Sequence, residues 1–261
     1  MPFRQAGDLR LYTLDSLNLP GVIHAAFTRR GGVSPSPWAS LNLGGTVGDD
    51  RGRVLENKRR ALEAVGRTPD SLFEVWQVHS ADVVHARAPR GQEDLQQADA
   101  IITDHPGVTL LMRFADCVPV FLIDPRKQAV GLAHAGWLGT VRRTVVHVVG
   151  AMARAFGSDA GDLIAGIGPS IGPDHYPVGP EVVEAVRQTL GVRADEVLSS
   201  VYGEVRLDLW HANRLLLEGA GVSTVEVAGV CTACHPADWY SHRGEAGRTG
   251  RFGAVLALAS G

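Results

Sequence analysis

Four apolar runs crowd into residues 100–133, at 100–103, 108–114, 118–123 and 129–133, with only a few residues between them. Each is too short for an ordinary helix and too continuously apolar for a strand with one wet face. They predict central strands covered on both faces. That requirement constrains the fold more than any other feature, because other elements must then pack against each side. Helices are predicted at 51–65, with Asp49 or Asp50 as cap and Gly66 closing, and at 141–156, opened by Gly139-Thr140 and ended by Gly157. Two more are predicted at 180–190, with Pro180 in the first turn and Gly191 at the end, and from Asp208 to about Gly219–Gly221. Further strands are expected at 22–28, 71–78, 82–86, 163–167, 225–230 and 254–258. Residues 41–45 form a short extended piece, and residues 89–98 a polar exposed loop. The class is α/β, and 1–261 is expected to form a single domain, although periodicity does not order the strands.

Composition removes several functions. With 261 residues and 45% hydrophobic against 20% charged, the chain can bury a large core and is not disordered. A net charge of −3 gives no bulk attraction for nucleic acid or an anionic membrane, and no apolar run reaches transmembrane length. The start lacks a leader pattern. Cys117, Cys231 and Cys234 are odd in number and widely placed, as in a reducing compartment, so a cytoplasmic protein is expected. Without a heptad seam, a monomer or small homo-oligomer is expected.

Three segments place reactive side chains at strand ends beside small residues: Trp76-Gln77-Val78-His79-Ser80, Phe114-Ala115-Asp116-Cys117-Val118-Pro119 and Ala133-His134-Ala135-Gly136-Trp137. His79, Cys117 and His134 offer two imidazoles and a thiolate, a donor set used by catalytic zinc with a fourth position open. Their separation is too wide for a zinc finger, so the fold would have to bring them together. From the residues alone three readings stay open: a metal site, ordinary packed or solvent-facing side chains, and a Cys-His hydrolase pair. Cys231-Thr232-Ala233-Cys234 is a CxxC without a second one. The GxGPxxGP at 166–173 is not the dinucleotide-binding GxGxxG pattern, which argues against NAD.

In order, FTRRGGVS, SLNLG, WQVHS, ADCVPV, HAGWLGT, GIGPSIGP and CTACHPADWYSHRGEAGRTGR resemble the multicopper polyphenol oxidoreductase, or laccase-like, family. Members similar to this chain are regarded as purine nucleoside phosphorylases with adenosine deaminase activity. The resemblance implies a mixed-sheet αββα sandwich and metal ligands at His79, Cys117 and His134. It also implies zinc as cofactor and purine nucleosides (adenosine, inosine, 5′-methylthioadenosine) with inorganic phosphate as substrates. Copper is a second candidate, since thiolate and imidazole bind it well. A laccase, however, needs a mononuclear and a trinuclear copper site, and ten histidines without an H-x-H pair do not supply them.

For that chemistry Asp116, Cys117 and His242 are the candidate catalytic residues. Arg29, Arg243, Arg248 and Arg251 suit an oxyanion, because guanidinium binds phosphate bidentately. Asn42 and Gln77 could hydrogen-bond a nucleoside, and Phe114, Trp137, Trp239 and Tyr240 could stack on a purine. The chain departs from the family pattern twice. Leu138 follows Trp137 where HAGWRG is common, and Asp174-His175 stand where a cysteine pair is frequent. Three other functions compete: a copper-dependent polyphenol oxidase, a cysteine hydrolase using Cys117, and a non-enzymatic binder of a nucleotide or cell-wall precursor.

Overall fold

The computed structural model describes residues 2–90 and 95–259. The first half of the chain forms β1 (Phe3–Ala6), β2 (Leu9–Tyr12), β3 (Val22–Phe27), α1 (Arg51–Glu63), β4 (Leu72–Phe73), β5 (Val83–His85), β6 (Ala100–Thr103), β7 (Thr109–Phe114) and β8 (Val118–Asp124). The second half forms β9 (Ala129–Ala135), α2 (Trp137–Val141), α3 (Thr144–Phe156), β10 (Ile164–Ile167), α4 (Pro180–Leu190), β11 (Leu198–Val201), β12 (Glu204–Leu207), α5 (Leu209–Gly219), β13 (Thr224–Val227) and β14 (Phe252–Leu258).

Two six-stranded sheets stack, ordered β1-β2-β3-β14-β7-β4 and β13-β10-β8-β9-β6-β5, with β11-β12 a separate hairpin. The four apolar runs divide between them: β7 lies in the first sheet and β6, β8 and β9 in the second. Strand parity explains why each run is apolar throughout. On β7, Leu110, Met112 and Phe114 enter the core between the sheets, while Leu111 turns outward toward Ala61 of α1. On β8, Phe121 and Ile123 face that same core, while Val118, Val120 and Leu122 meet Val145, Val148 and Met152 of α3. The result is the expected αββα sandwich of mixed sheets, with α1 outside one sheet and α2 to α5 outside the other.

Local signals hold where capping decides. Asp50 accepts from the Arg53 amide (3.0 Å) to start α1, Asp208 accepts from His211 (2.9 Å) to start α5, and α4 begins at Pro180. Three expectations are corrected. The strand expected at 71–78 stops at Phe73, because the Gln77 amide takes both the N–H and the carbonyl of Arg113 (3.0 and 2.8 Å). Its side chain replaces a backbone ladder there. The helix expected at 141–156 is two: α2 begins at Trp137, and the path breaks at Arg143 in the left-handed region (φ +59°). Thr144 holds the break by meeting the carbonyls of Ser80 (3.0 Å) and Gly139 (2.9 Å). The polar stretch at 89–98 lies partly outside the described residues, but Ala98 is buried and Gln97 pairs with Trp76.

His24 on β3 has a consequence for stability. Its ring lies edge-on to Phe121 (6.2 Å between centroids), and its Nε2 is 3.0 Å from the Leu14 amide. Burial pulls its pKa down from the ordinary 6.5 to about 4. The unfolded chain therefore binds this proton first, so the contribution is constant above about pH 6.5 and stability falls as pH drops toward 4. Denaturation at pH 4.5 should show about 2.5 kcal/mol less stability from this group than at pH 7. His24→Gln should remove that part of the acid slope, and an unchanged slope would contradict it.

Candidate active site

The same parity that builds the core places the site. On β9, Leu132 and His134 share the face between the sheets, while Ala133 and Ala135 face the helices. His134 pairs with Pro119 of β8, one residue from the strand's end, so its ring emerges at the rim. Cys117 lies in the turn from β7 to β8, and His79, in the left-handed region (φ +58°), in the loop before β5. Their donor atoms all lie within 4.8 Å of one another, with Cys117 Sγ 4.0 Å from His79 Nε2 and the two imidazole centroids 5.0 Å apart.

Asp99, fully buried just before β6, organises this cluster. One carboxylate oxygen takes His134 Nδ1 (2.8 Å), and the other accepts from the amides of Val78 (3.0 Å) and Ser80 (2.6 Å) on either side of His79. The bond at Nδ1 leaves His134 Nε2 for whatever occupies the site. Burial opposes ionisation of Asp99, but His134 and the two amides outweigh it and hold the carboxyl below its usual range. Burial likewise opposes charge on Cys117, yet His134 and His79 bring the thiol down to about 6. His134 rises to about 9, because Cys117 and Asp99 overcome its burial. The site thus favours a thiolate at neutral pH, the form that ligates metals and attacks electrophiles.

Gly136 shapes the floor. A Cβ added there would meet Cys117 Sγ at 2.6 Å, although the backbone (φ −73°) suits any residue. Gly136→Ala should therefore displace the thiolate without unfolding β9, lowering metal affinity by roughly 10-fold or more. Equilibrium dialysis against zinc checks this, and wild-type affinity would contradict it.

The cluster opens into a cleft of about 760 Å³. Of the predicted site residues, Gln77, His79, Asp116, Cys117, His134, His242, Arg243 and Arg251 line it. Asp116 (φ +81°) accepts from the Thr232 hydroxyl (2.7 Å) and the Arg243 amide (2.6 Å), tying the β7–β8 turn to the C-terminal loop. Arg251 is held by the carbonyls of Thr249 and Gly250, and Arg243 by that of Pro177 (2.9 Å). These partners are neutral, so among the described residues neither guanidinium is taken up in a salt bridge. Burial lowers the Arg251 pKa, opposed by the nearby Cys117 and Asp116.

Arg29, Asn42 and Arg248 stand apart from the lining. The Arg29 guanidinium is engaged by Glu245 (3.0 Å) and the carbonyls of Ala39 and Pro236, and lies over the Tyr240 ring. Asn42 is buried and accepts from the amides of Gly44 (2.9 Å) and Arg251 (2.8 Å), which positions two lining residues. Arg248 is exposed. Phe114, Trp239 and Tyr240 are buried in the core, whereas Trp137 reaches the cleft. Leu138 sits on α2, half-buried and outside the lining.

Sequence reading missed Asp99, Trp76 and Tyr176, together with the group Glu74, Lys58 and Arg113. Trp76 is 46% exposed at the rim. Tyr176 lines the cleft, and burial, reinforced by the Cys117 charge, raises its phenol pKa. Buried Glu74 binds Lys58 (2.7 Å) and Arg113 (2.9 Å), both lining the cleft. The available signal was an acid beside apolar segments: Asp99 between two alanines at the head of a buried strand, and Glu74 between Phe73 and Val75.

A family model described as multi-copper polyphenol oxidoreductase laccase matches residues 23–259. A purine nucleoside phosphorylase of Deinococcus radiodurans is 42% identical over 238 residues, covering 91% of this chain and 89% of that protein. The crystal structure of YlmD from Geobacillus stearothermophilus matches with a TM-score of 0.92 at 35% identity, over 99% of each chain. That of the Bacillus licheniformis hypothetical protein YfiH matches with a TM-score of 0.91 at 32% identity, over 98% of this chain and 99% of that one. Because sequence and fold agree over nearly the full length, the chain belongs to the multi-copper polyphenol oxidoreductase laccase family.

Proposed function

We propose that this chain is a zinc-dependent purine nucleoside phosphorylase that also deaminates adenosine, and that it takes adenosine, inosine and 5′-methylthioadenosine. One observation carries the reading: three metal-capable donors converge on a cleft in which two arginines, Arg243 and Arg251, are held by neutral carbonyls. The names of relatives such as the Deinococcus protein support its phosphorolytic part. His79, Cys117 and His134 fit zinc, since one thiolate and two imidazoles leave a fourth position open and Asp99 already fixes His134 through Nδ1. When bound, zinc supplies Lewis-acid polarisation and a lowered water pKa.

The residues of the chain do the rest. Arg243 and Arg251 hold phosphate as its oxygen bonds to C1′ and the bond from C1′ to N9 breaks. Trp76, Trp137 and Tyr176 offer ring faces to the purine. His242, exposed and lining the cleft, supplies the proton that the departing base takes up. Asp116 acts through position, fixing the Arg243 backbone from which the phosphate-binding guanidinium extends. Deamination asks for water at purine C6 and a proton for departing ammonia, which the same His242 provides.

Copper also suits the donor set. However, the described residues hold two groups of three or more metal-capable side chains, and these do not make a laccase's mononuclear and trinuclear sites.

Inosine isolates phosphorolysis, because it has no amino group to lose. Zinc-reconstituted protein with phosphate should release hypoxanthine and ribose 1-phosphate, and metal-stripped protein should not; equal turnover by both would overturn the zinc assignment. Arg243→Ala should raise KM for phosphate by about 10-fold or more, the scale of one charge-assisted hydrogen bond, at unchanged zinc content. An unchanged KM would remove Arg243 from the phosphate site.

A further inference from the structure

A second group of soft ligands lies outside this cleft. His175 Nδ1 is 3.5 Å from Cys234 Sγ and 3.9 Å from Cys231 Sγ, and all three donor atoms lie within 4.8 Å of one another. We propose that His175, Cys231 and Cys234 form a second zinc site, which clamps two loops together behind the cleft wall.

Geometry supports it. With bonds of about 2.3 Å to sulfur and 2.0–2.1 Å to nitrogen, a tetrahedral zinc ion places sulfur about 3.6 Å from nitrogen. The two observed separations bracket that value. Cys231 and Cys234 have the C-x2-C spacing that lets one turn present two thiolates to one ion. The Gly172 amide donates to Cys231 Sγ (3.2 Å), a bond that favours the ligating thiolate. A Cβ on Gly172 would meet Cys231 Cβ at 3.1 Å and Sγ at 3.3 Å, so the glycine allows this approach. Cys231 is buried, whereas His175 and Cys234 are exposed, which gives an ion a route in and leaves its fourth position to solvent.

The position explains what such an ion would do. His175 precedes Tyr176, which lines the cleft, and Thr232, between the two cysteines, holds the Asp116 carboxylate (2.7 Å). A bridge from His175 to Cys231 and Cys234 would fix both contacts from outside. The role is positional, because none of the three side chains lines the cleft.

Zinc binding to phosphine-reduced protein, by equilibrium dialysis with elemental analysis, tests it. Wild type should hold about two equivalents, falling to about one in Cys234→Ser, in His175→Ala and separately in Cys117→Ser. Zinc should still raise the Tm of Cys117→Ser, and Cys234→Ser should lose that part of the rise. The exposed positions of His175 and Cys234 keep both variants folded. One equivalent in wild type, unchanged by Cys234→Ser, would overturn the proposal. So would a Cys231–Cys234 disulfide that persists under reductant and takes up no metal.

Discussion

Asp99→Asn should weaken zinc binding by about 10–100-fold and lower phosphorolysis with it, although Asp99 does not line the cleft. The carboxylate makes three bonds, one to His134 Nδ1 and two to the amides that flank His79. An amide in its place has one acceptor oxygen, and its NH2 must face either the imidazole N–H or two backbone N–H groups. His134 then loses its fixed tautomer, or the loop carrying His79 shifts. Either change spreads the ligand atoms apart. Zinc affinity, phosphorolysis and thermal unfolding of the same preparation check this. A folded variant with wild-type affinity would show that the Asp99 bonds do not position the ligands.

Glu74→Gln should destabilise the fold by about 3 kcal/mol, the lower end of the cost of breaking a buried ion pair. The Glu74 side chain is 8% exposed and pairs with both Lys58 and Arg113, at 16% and 15%. Without its charge, two cations remain in a mostly dry wall, and their residual contact with water limits the penalty. Urea denaturation measures the effect. Adding Lys58→Met to Glu74→Gln should recover part of it, because one stranded charge is removed. A loss below about 1 kcal/mol would mean that both cations reach solvent freely.

Much of the fold was legible because its strongest determinants are local. The apolar runs declared strands covered on both faces, and Asp50, Pro180 and Asp208 declared helix starts. The errors occurred where a distant side chain overrides local preference. Gln77 ends a strand by bonding to Arg113, and Thr144 breaks a helix by bonding to Ser80. The hairpin β11-β12 was missed because Tyr202-Gly203, both at positive φ, turns it without the usual Asn or Asp.

The site divides along the same line. His79, Cys117 and His134 stood out as residue types at strand ends, and strand parity brings them together. Asp99 did not, because an acid between alanines shows nothing of the histidine it meets 35 residues away. Arg29 and Asn42 were singled out by chemistry that suits a ligand. In the fold that same capacity joins Arg29 to Glu245 and Asn42 to Gly44 and Arg251.

The most direct test is product analysis on adenosine by mass-resolved chromatography, with phosphate present or omitted, zinc counted in each sample, and Cys117→Ser run alongside. The account predicts adenine and ribose 1-phosphate only with phosphate, inosine without phosphate and inosine together with its hypoxanthine when phosphate is present, and neither activity in Cys117→Ser. Folded, zinc-loaded wild type that leaves adenosine unchanged under both conditions would contradict it.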